Sequence, residues 1–250
     1  MTTTEPPAAQ SSELAWVLNM AMVETTTVQL ILQECLQRLE APSKLAVTSS
    51  KSESHADVFP LDGPPPTHFP PQSMKGTLTR KGCDVNISVS AHLTWLNHPL
   101  KVNCQAPLVE LSMVTSTLSR VERLLAPFTT LPPVHEFLDA VSEAQKFLTS
   151  VYGVLDGSWH QARSHLCTTV PIEDAPGTAV EISIAQEAIV VRFSAYESMG
   201  PLKKLVHQES ERSPDPVLMA VSAKVKWALN ELRHIEHKVS TCLNAQHSRP

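Results

Sequence analysis

The stretch PVLMAVSAKVKWALNELRHIEHKVSTCL, Pro216–Leu243, decides how the rest of the chain is read. Leu218, Val221, Val225, Ala228, Leu232, Ile235, Val239 and Cys242 recur at alternating intervals of three and four without a miss. In a helix of about 3.6 residues per turn such positions form one continuous apolar stripe. A stripe this long needs partner surfaces, and three other segments supply them. Ser12–Glu40 carries Leu18, Ala21, Thr25, Val28, Leu32, Cys35 and Leu39, with a capping hydroxyl at Ser11 or Ser12 and a stop at Pro42. Thr25, Thr26 and Thr27 lower its intrinsic propensity, so packing must hold that turn. Pro107–Leu125 carries Leu111, Val114, Leu118, Val121 and Leu125, with Pro107 suited to a first helical turn and Pro127 just past the end. Pro133–Leu155 carries Val134, Phe137, Val141, Ala144, Leu148, Val151 and Leu155. The short connection over Ala126–Pro132 makes these two helices antiparallel neighbours. Four narrow stripes predict a helical bundle with coiled-coil-like packing.

Elsewhere the period changes to two. Val85, Ile87, Val89, Ala91 and Leu93 alternate with polar residues, which is the pattern of a half-buried strand. Met74–Arg80 precedes it, and Lys81-Gly82 suits the hairpin turn. Val180, Ile182 and Ile184, then Ile189, Val191 and Phe193, form a second pair about the turn Gln186-Glu187. A short strand is expected near Leu100–Cys104. Phe59–Pro71 holds six prolines and Ala41–Asp57 is rich in serine, so 42–72 is expected as a flexible loop, and Glu209–Pro216 as a polar hinge. The expected fold class is α+β: an elongated two-module protein. Its antiparallel helical bundle would take 12–41, 106–166 and 214–245 and contain both termini. A small antiparallel β-sheet module, 73–105 with 177–200, would be inserted discontinuously.

The 250 residues are 42% apolar and 18% charged, enough to bury roughly 70–75% of the unfolded surface. Twenty basic residues against 25 acidic ones leave a formal charge of −5, which is no bulk footprint for nucleic acid. Twenty prolines stand against seven glycines, and no G-x-G-x-x-G, G-x-x-x-x-G-K or G-x-S-x-G string occurs. The phosphate-cradling loops and the nucleophile elbow need those glycines, so their enzyme classes are excluded. The five cysteines form no C-x-x-C pair, which suits reduced thiols in a cytoplasmic protein. Met1–Ser12 lacks the basic and apolar regions of a signal peptide, and no transmembrane segment is expected.

The nearest thing to a metal site is His234 and His237 with Glu231 and Glu236. The H-E-x-x-H order is absent, and the two histidines flank Ile235 of the stripe, so they read as rim residues. His160, His165 and Cys167 lack zinc spacing. Cys83 beside Lys81 is an ordinary turn thiol, and Glu173-Asp174 lies in a loop before Pro176-Gly177. No catalytic, cofactor-binding or metal residue is assigned, and no cofactor. A DNA-binding zipper fails because Glu209–Pro216, ahead of the last stripe, holds two prolines and three acids where a basic helix is required. Trp16 and Trp227 lie beside their stripes, where packing between the terminal helices is favoured over anchoring a partner. Trp159 follows a helix end and reads as exposed.

Three strings, Glu13–Leu18, Met74–Thr79 and Phe137–Val141, and the order of elements around them resemble the Rogdi family, the small subunit of RAVE-type complexes that regulate assembly of the vacuolar proton-pumping ATPase. Glu13-Leu14-Ala15-Trp16-Val17-Leu18 is similar to that family's opening helix. Met74-Lys75-Gly76-Thr77-Leu78-Thr79 is similar to its first strand, and Phe137-Leu138-Asp139-Ala140-Val141 to a later helix. The likeness runs from Glu13 to Cys242. The chain departs in a longer proline loop after the first helix and a shorter segment before the last, so loop-borne contacts do not carry over. The resemblance implies a non-enzymatic scaffold working through a large WD-repeat subunit and the pump's catalytic-sector subunits, with a Skp-like third subunit as a further partner. It places the protein in the cytoplasm, peripherally recruited to vacuolar or endosomal membranes. The alternative is a small hydrolase or metal-dependent enzyme with a histidine-based site, and a third reading is a homo-oligomeric coiled-coil protein.

Overall fold

Helix α1 spans Ala8–Glu40, α2 Val109–Leu125, α3 Val134–Asp156 and α4 Pro216–His247. These come from a computed structural model that describes residues 8–48, 73–126, 131–158, 168–199 and 202–247. The chain divides into two compact units. One takes Met1–Glu40, Leu111–His160 and Val217–Pro250, and the other takes Ala41–Glu110 and Gln161–Pro216.

In the helical unit each periodic stripe is buried except at its ends Val134 and Cys242, which are part-exposed. Leu18, Val28, Leu32 and Leu39 of α1, Leu111, Leu118 and Val121 of α2, Phe137, Val141 and Leu148 of α3, and Leu218, Val225, Leu232 and Ile235 of α4 are all closed to solvent. Fully burying each such side chain stabilises by about 1.5–3 kcal/mol. Polar contacts above this core fix the helix order. Gln33 of α1 donates to Glu122 of α2 at 2.8 Å, and Arg120 of α2 pairs with Glu143 of α3 at 3.1 Å. Gln145 of α3 donates to Glu236 of α4 at 2.7 Å, and Lys238 of α4 returns to Glu24 of α1 at 2.7 Å. The ring of contacts closes. The threonines of α1 stay helical because their hydroxyls donate back one turn, Thr25 to Ala21, Thr26 to Met22 and Thr27 to Val23.

The other unit corrects the expected fold class. In place of one small inserted sheet there are two four-stranded antiparallel meanders. The first is β1 Ser43–Thr48, β2 Ser73–Lys81, β3 Asp84–His92 and β4 Leu100–Pro107. The second is β5 Thr168–Pro171, β6 Thr178–Ala185, β7 Ala188–Met199 and β8 Leu202–Pro214. Within this unit β1 lies against β8 and β4 against β5, so each sheet meets the other along both edges. Ser213 donates to the Ala46 carbonyl at 3.0 Å on one seam, and Thr168 donates to the Pro107 carbonyl on the other.

Four strands depart from the sequence reading, and one of them, β5 at Thr168–Pro171, is not expected from it at all. Ser43–Thr48, expected within the 42–72 loop, is β1, pairing from Ser43↔Arg80 to Thr48↔Lys75. Its two inward residues, Leu45 and Val47, are too few to announce a period. The expected hinge at 209–216 is largely β8, an almost wholly exposed strand held by its ladder to β7. Pro107 ends β4 opposite Asp84 instead of opening α2, because the following amide of Leu108 donates to the Cys83 carbonyl at 2.7 Å. The rest of the expected 42–72 loop, from 49 to 72, and the positions of Trp159, His160, His165 and Cys167 lie outside the described residues.

Turn chemistry sets the registers. The β2–β3 turn is Gly82-Cys83, one residue later than Lys81-Gly82, because the glycine takes the positive φ of +58° at the first central position. Gln186 and Glu187 both adopt positive φ, 51° and 62°, giving the tight β6–β7 turn the twist its strands require. Gly76 has a different role. A Cβ there would meet the Ser88 carbonyl oxygen and lie 2.7 Å from the Val89 Cα, so β2 and β3 approach through it.

One buried ion pair crosses the β unit. Arg80 Nε lies 2.9 Å from Asp215 Oδ2, with both side chains fully enclosed, and Ser43 Oγ donates to the same oxygen at 3.3 Å. Asp215→Ala therefore leaves Arg80 as an uncompensated buried charge and is expected to cost about 3–5 kcal/mol. Arg80→Met with Asp215→Leu is expected to recover most of that loss; urea melts of the three proteins check both statements. In the helical unit, Leu232→Asp is expected to cost more than about 4 kcal/mol, whereas Lys226→Glu on the exposed side of α4 should stay within about 0.5 kcal/mol. A Leu232→Asp protein that melts like the parent would contradict the core assignment.

Candidate functional site

His234 and His237 are exposed on α4, on either side of buried Ile235. Glu236 of the same turn is engaged by Gln145 of α3. Among the described residues no group of three or more His, Cys, Asp or Glu side chains is placed to hold a metal ion. Cys83 occupies the β2–β3 turn, and its carbonyl receives the Leu108 amide. Glu173 and Asp174 are exposed beside a polar cleft of about 360 Å³ that they share with Lys101 and Asn103 of β4. The structure does not bring these candidates together.

Of the ionisable groups that depart from their ordinary behaviour, two are shifted furthest. Burial pushes the Cys35 thiol up to about 11, which makes it a poor nucleophile at neutral pH. Burial likewise pushes the Glu110 carboxyl from an ordinary 4.5 up to about 6, partly offset by the amides of Glu110 and Ile184. Glu110 opens the first turn of α2, is 2% exposed, and neither carboxylate oxygen has a well-formed hydrogen bond. An acid at a helix start is ordinary in sequence, so only its burial distinguishes it.

The most distinctive surface lies on α1. Trp16, Met20, Val23, Thr27 and Leu30 follow the same alternation of four and three as the buried stripe. At about 100° per residue the two stripes lie about 150° apart, on nearly opposite faces. Trp16 and Val23 are each 65% exposed and Leu30 61%. The preference for packing Trp16 and Trp227 between the terminal helices is therefore overturned: both rings are exposed because they lie off the buried stripes. The second spacing was available in the sequence, but it is masked by the first.

Near the start of α1 this stripe borders a groove of about 590 Å³ formed with the end of α4. Trp16 and Met20 line one wall, Thr241 and Cys242 the other. The Glu24–Lys238 pair crosses it, with Glu24 Oε2 lacking a hydrogen-bond partner. Being apolar on two faces, α1 over Glu13–Glu40 is long and apolar enough to cross a membrane, with a mean hydropathy of 1.2. That differs from the expectation that no such stretch occurs. Its other face is nevertheless committed to the helical unit, where Gln29 and Gln33 both address Glu122.

No family model matches the chain, and no curated protein matches it. The geometry therefore defines its class by surface: a two-unit α+β protein with an uncovered apolar helix face.

Glu110 yields a pH test. Its carboxyl is raised in the folded state, so below about 4.5 it is protonated folded or unfolded and carries no penalty. As pH rises from 4.5 through 6 the unfolded chain ionises first, and stability falls by about 2 kcal/mol. Glu110→Gln should remove this component, so the difference in stability between variant and parent grows between pH 4.5 and 6 and then levels. Paired melts at several pH values check it; a constant difference would contradict the burial of that carboxylate.

Proposed function

We propose that this chain is a non-catalytic adaptor of a RAVE-type complex, promoting assembly and reassembly of the vacuolar proton pump. One observation carries the binding role: the exposed stripe Trp16, Met20, Val23 and Leu30 on a helix otherwise built into a core. Exposed apolar residues in a continuous row mark interaction surfaces, since water penalises them without a compensating contact. The assignment to this complex rests on the resemblance of the opening helix, Met74–Thr79 and Phe137–Val141 to the Rogdi family. Those strings fall in α1, β2 and the first two turns of α3.

In this role the chain supplies surface and makes no bonds. A large WD-repeat subunit is its principal partner, catalytic-sector subunits of the pump and a Skp-like subunit are further ones, and it works in the cytoplasm with peripheral recruitment to vacuolar or endosomal membranes. Affinity purification of the tagged chain with mass spectrometry tests this. The expected result is enrichment of a WD-repeat subunit together with pump subunits. Recovery of the chain alone, carrying stoichiometric zinc, would favour a metal-dependent enzyme instead.

A further inference from the structure

We propose that the groove between the start of α1 and the end of α4 receives an amphipathic helix of a partner protein, with an apolar seam and flanking lysines or arginines. The proposal deepens the adaptor reading and rests on it for the existence of a partner.

Shape and polarity specify a helix. The groove runs between two antiparallel helices, as Lys224–Glu34 and Lys238–Glu24 fix by pairing rising numbers on α4 with falling ones on α1. Its α1 wall, Trp16 and Met20, begins the exposed stripe that Val23 and Leu30 continue beyond the groove, so these four offer contacts at the spacing with which a helix presents its own anchors. Trp16 at one end supplies a large rigid surface of the kind that dominates interface energy.

Charge specifies its flanks. From Ala8 to Gln37 helix α1 contains no lysine, arginine or histidine, while Glu13, Glu24 and Glu34 lie along it. Glu13 is exposed at the groove and makes no ion pair among the described residues, whereas Glu24 is paired with Lys238 and its second oxygen is enclosed. His237 adds an imidazole to the α4 wall, so the acidic preference rests on Glu13 and on the absence of cations along α1. Basic flanks would meet this wall favourably, and acidic ones would be rejected. The same charges argue against other occupants. A second copy offering its own α1 would bring no basic flank to this wall. An anionic bilayer would meet a helix lacking the cationic residues that interfacial helices use.

The test titrates the full chain with two labelled synthetic peptides of identical leucine seam, one flanked by lysines and one by glutamates, and reads fluorescence anisotropy. The lysine peptide is expected to bind at least tenfold more tightly than the glutamate peptide. Met20→Lys, on an exposed position and checked for fold by circular dichroism, is expected to weaken it at least tenfold. Leu205→Lys, exposed on β8, is expected to leave it unchanged. Failure of the lysine peptide to bind, indifference to its charge, or indifference to Met20→Lys would overturn the proposal. So would binding to phosphatidylcholine–phosphatidylserine vesicles that Met20→Lys strengthens while the lysine peptide does not compete. Affinity purification separates the two levels. If the parent chain recovers the WD-repeat subunit and Met20→Lys recovers it equally, the groove assignment falls and the adaptor reading stands. If the parent recovers none, the adaptor reading falls, and the peptide titration alone decides the groove.

Discussion

The Arg80–Asp215 pair is the constraint on which the β unit depends. Its two members are separated by 135 positions, and neither is exposed at all. Asp215 accepts from Arg80 of β2 and Ser43 of β1, while its own amide donates to the Glu187 carbonyl in the β6–β7 turn at 3.3 Å. Four parts of the chain thus converge on one residue. Neither charge is tolerable in the interior alone, so the first sheet cannot close on the second in parts. On the same seam Ser213 donates to the Ala46 carbonyl, and Leu45 and Val47 bury their side chains.

The order of elements repeats: helix, four-stranded meander, helix, and then the same again. Each half sends two helices to one unit and one sheet to the other. Neither half holds a complete core by itself. A bundle made of α1 and α2 alone would expose both stripes, and a single meander would leave one apolar face and two edges open. This mutual dependence accounts for the long-range character of the polar contacts, which link Gln33 to Glu122 and Thr94 to Glu209.

The helices were legible because each carries a stripe that is buried on one side only, so the period survives in the sequence. Strand β3 was legible for the same reason, with Ile87 on its interior face. Strands β6 and β7 were legible because large apolar residues such as Ile182 and Phe193 alternate with smaller or polar ones, although Ala179, Ser183 and Val190 on the other face are buried too. Edge strands β1, β5 and β8 were not. They bury at most two side chains each, β5 none, and are held by backbone pairing, which leaves no pattern in residue type. The candidate surface was half legible. Trp16 stands out in the sequence, yet its membership of a second stripe is hidden because one helix carries two periods. Glu110, Arg80 and Asp215 carried no local mark; their character comes from enclosure by residues distant in sequence.

An adaptor and an enzyme with a histidine-based site differ most directly in how cells regain compartment acidity after the pump is disassembled. The measurement is the rate of vacuolar or endosomal pH recovery in cells lacking this chain and resupplied with the parent or with His234→Gln/His237→Gln. Slow recovery without the chain, restored equally by both proteins, is the result the adaptor account predicts. Normal recovery without the chain would contradict it, as would a double-histidine variant that is folded and partner-bound yet restores nothing.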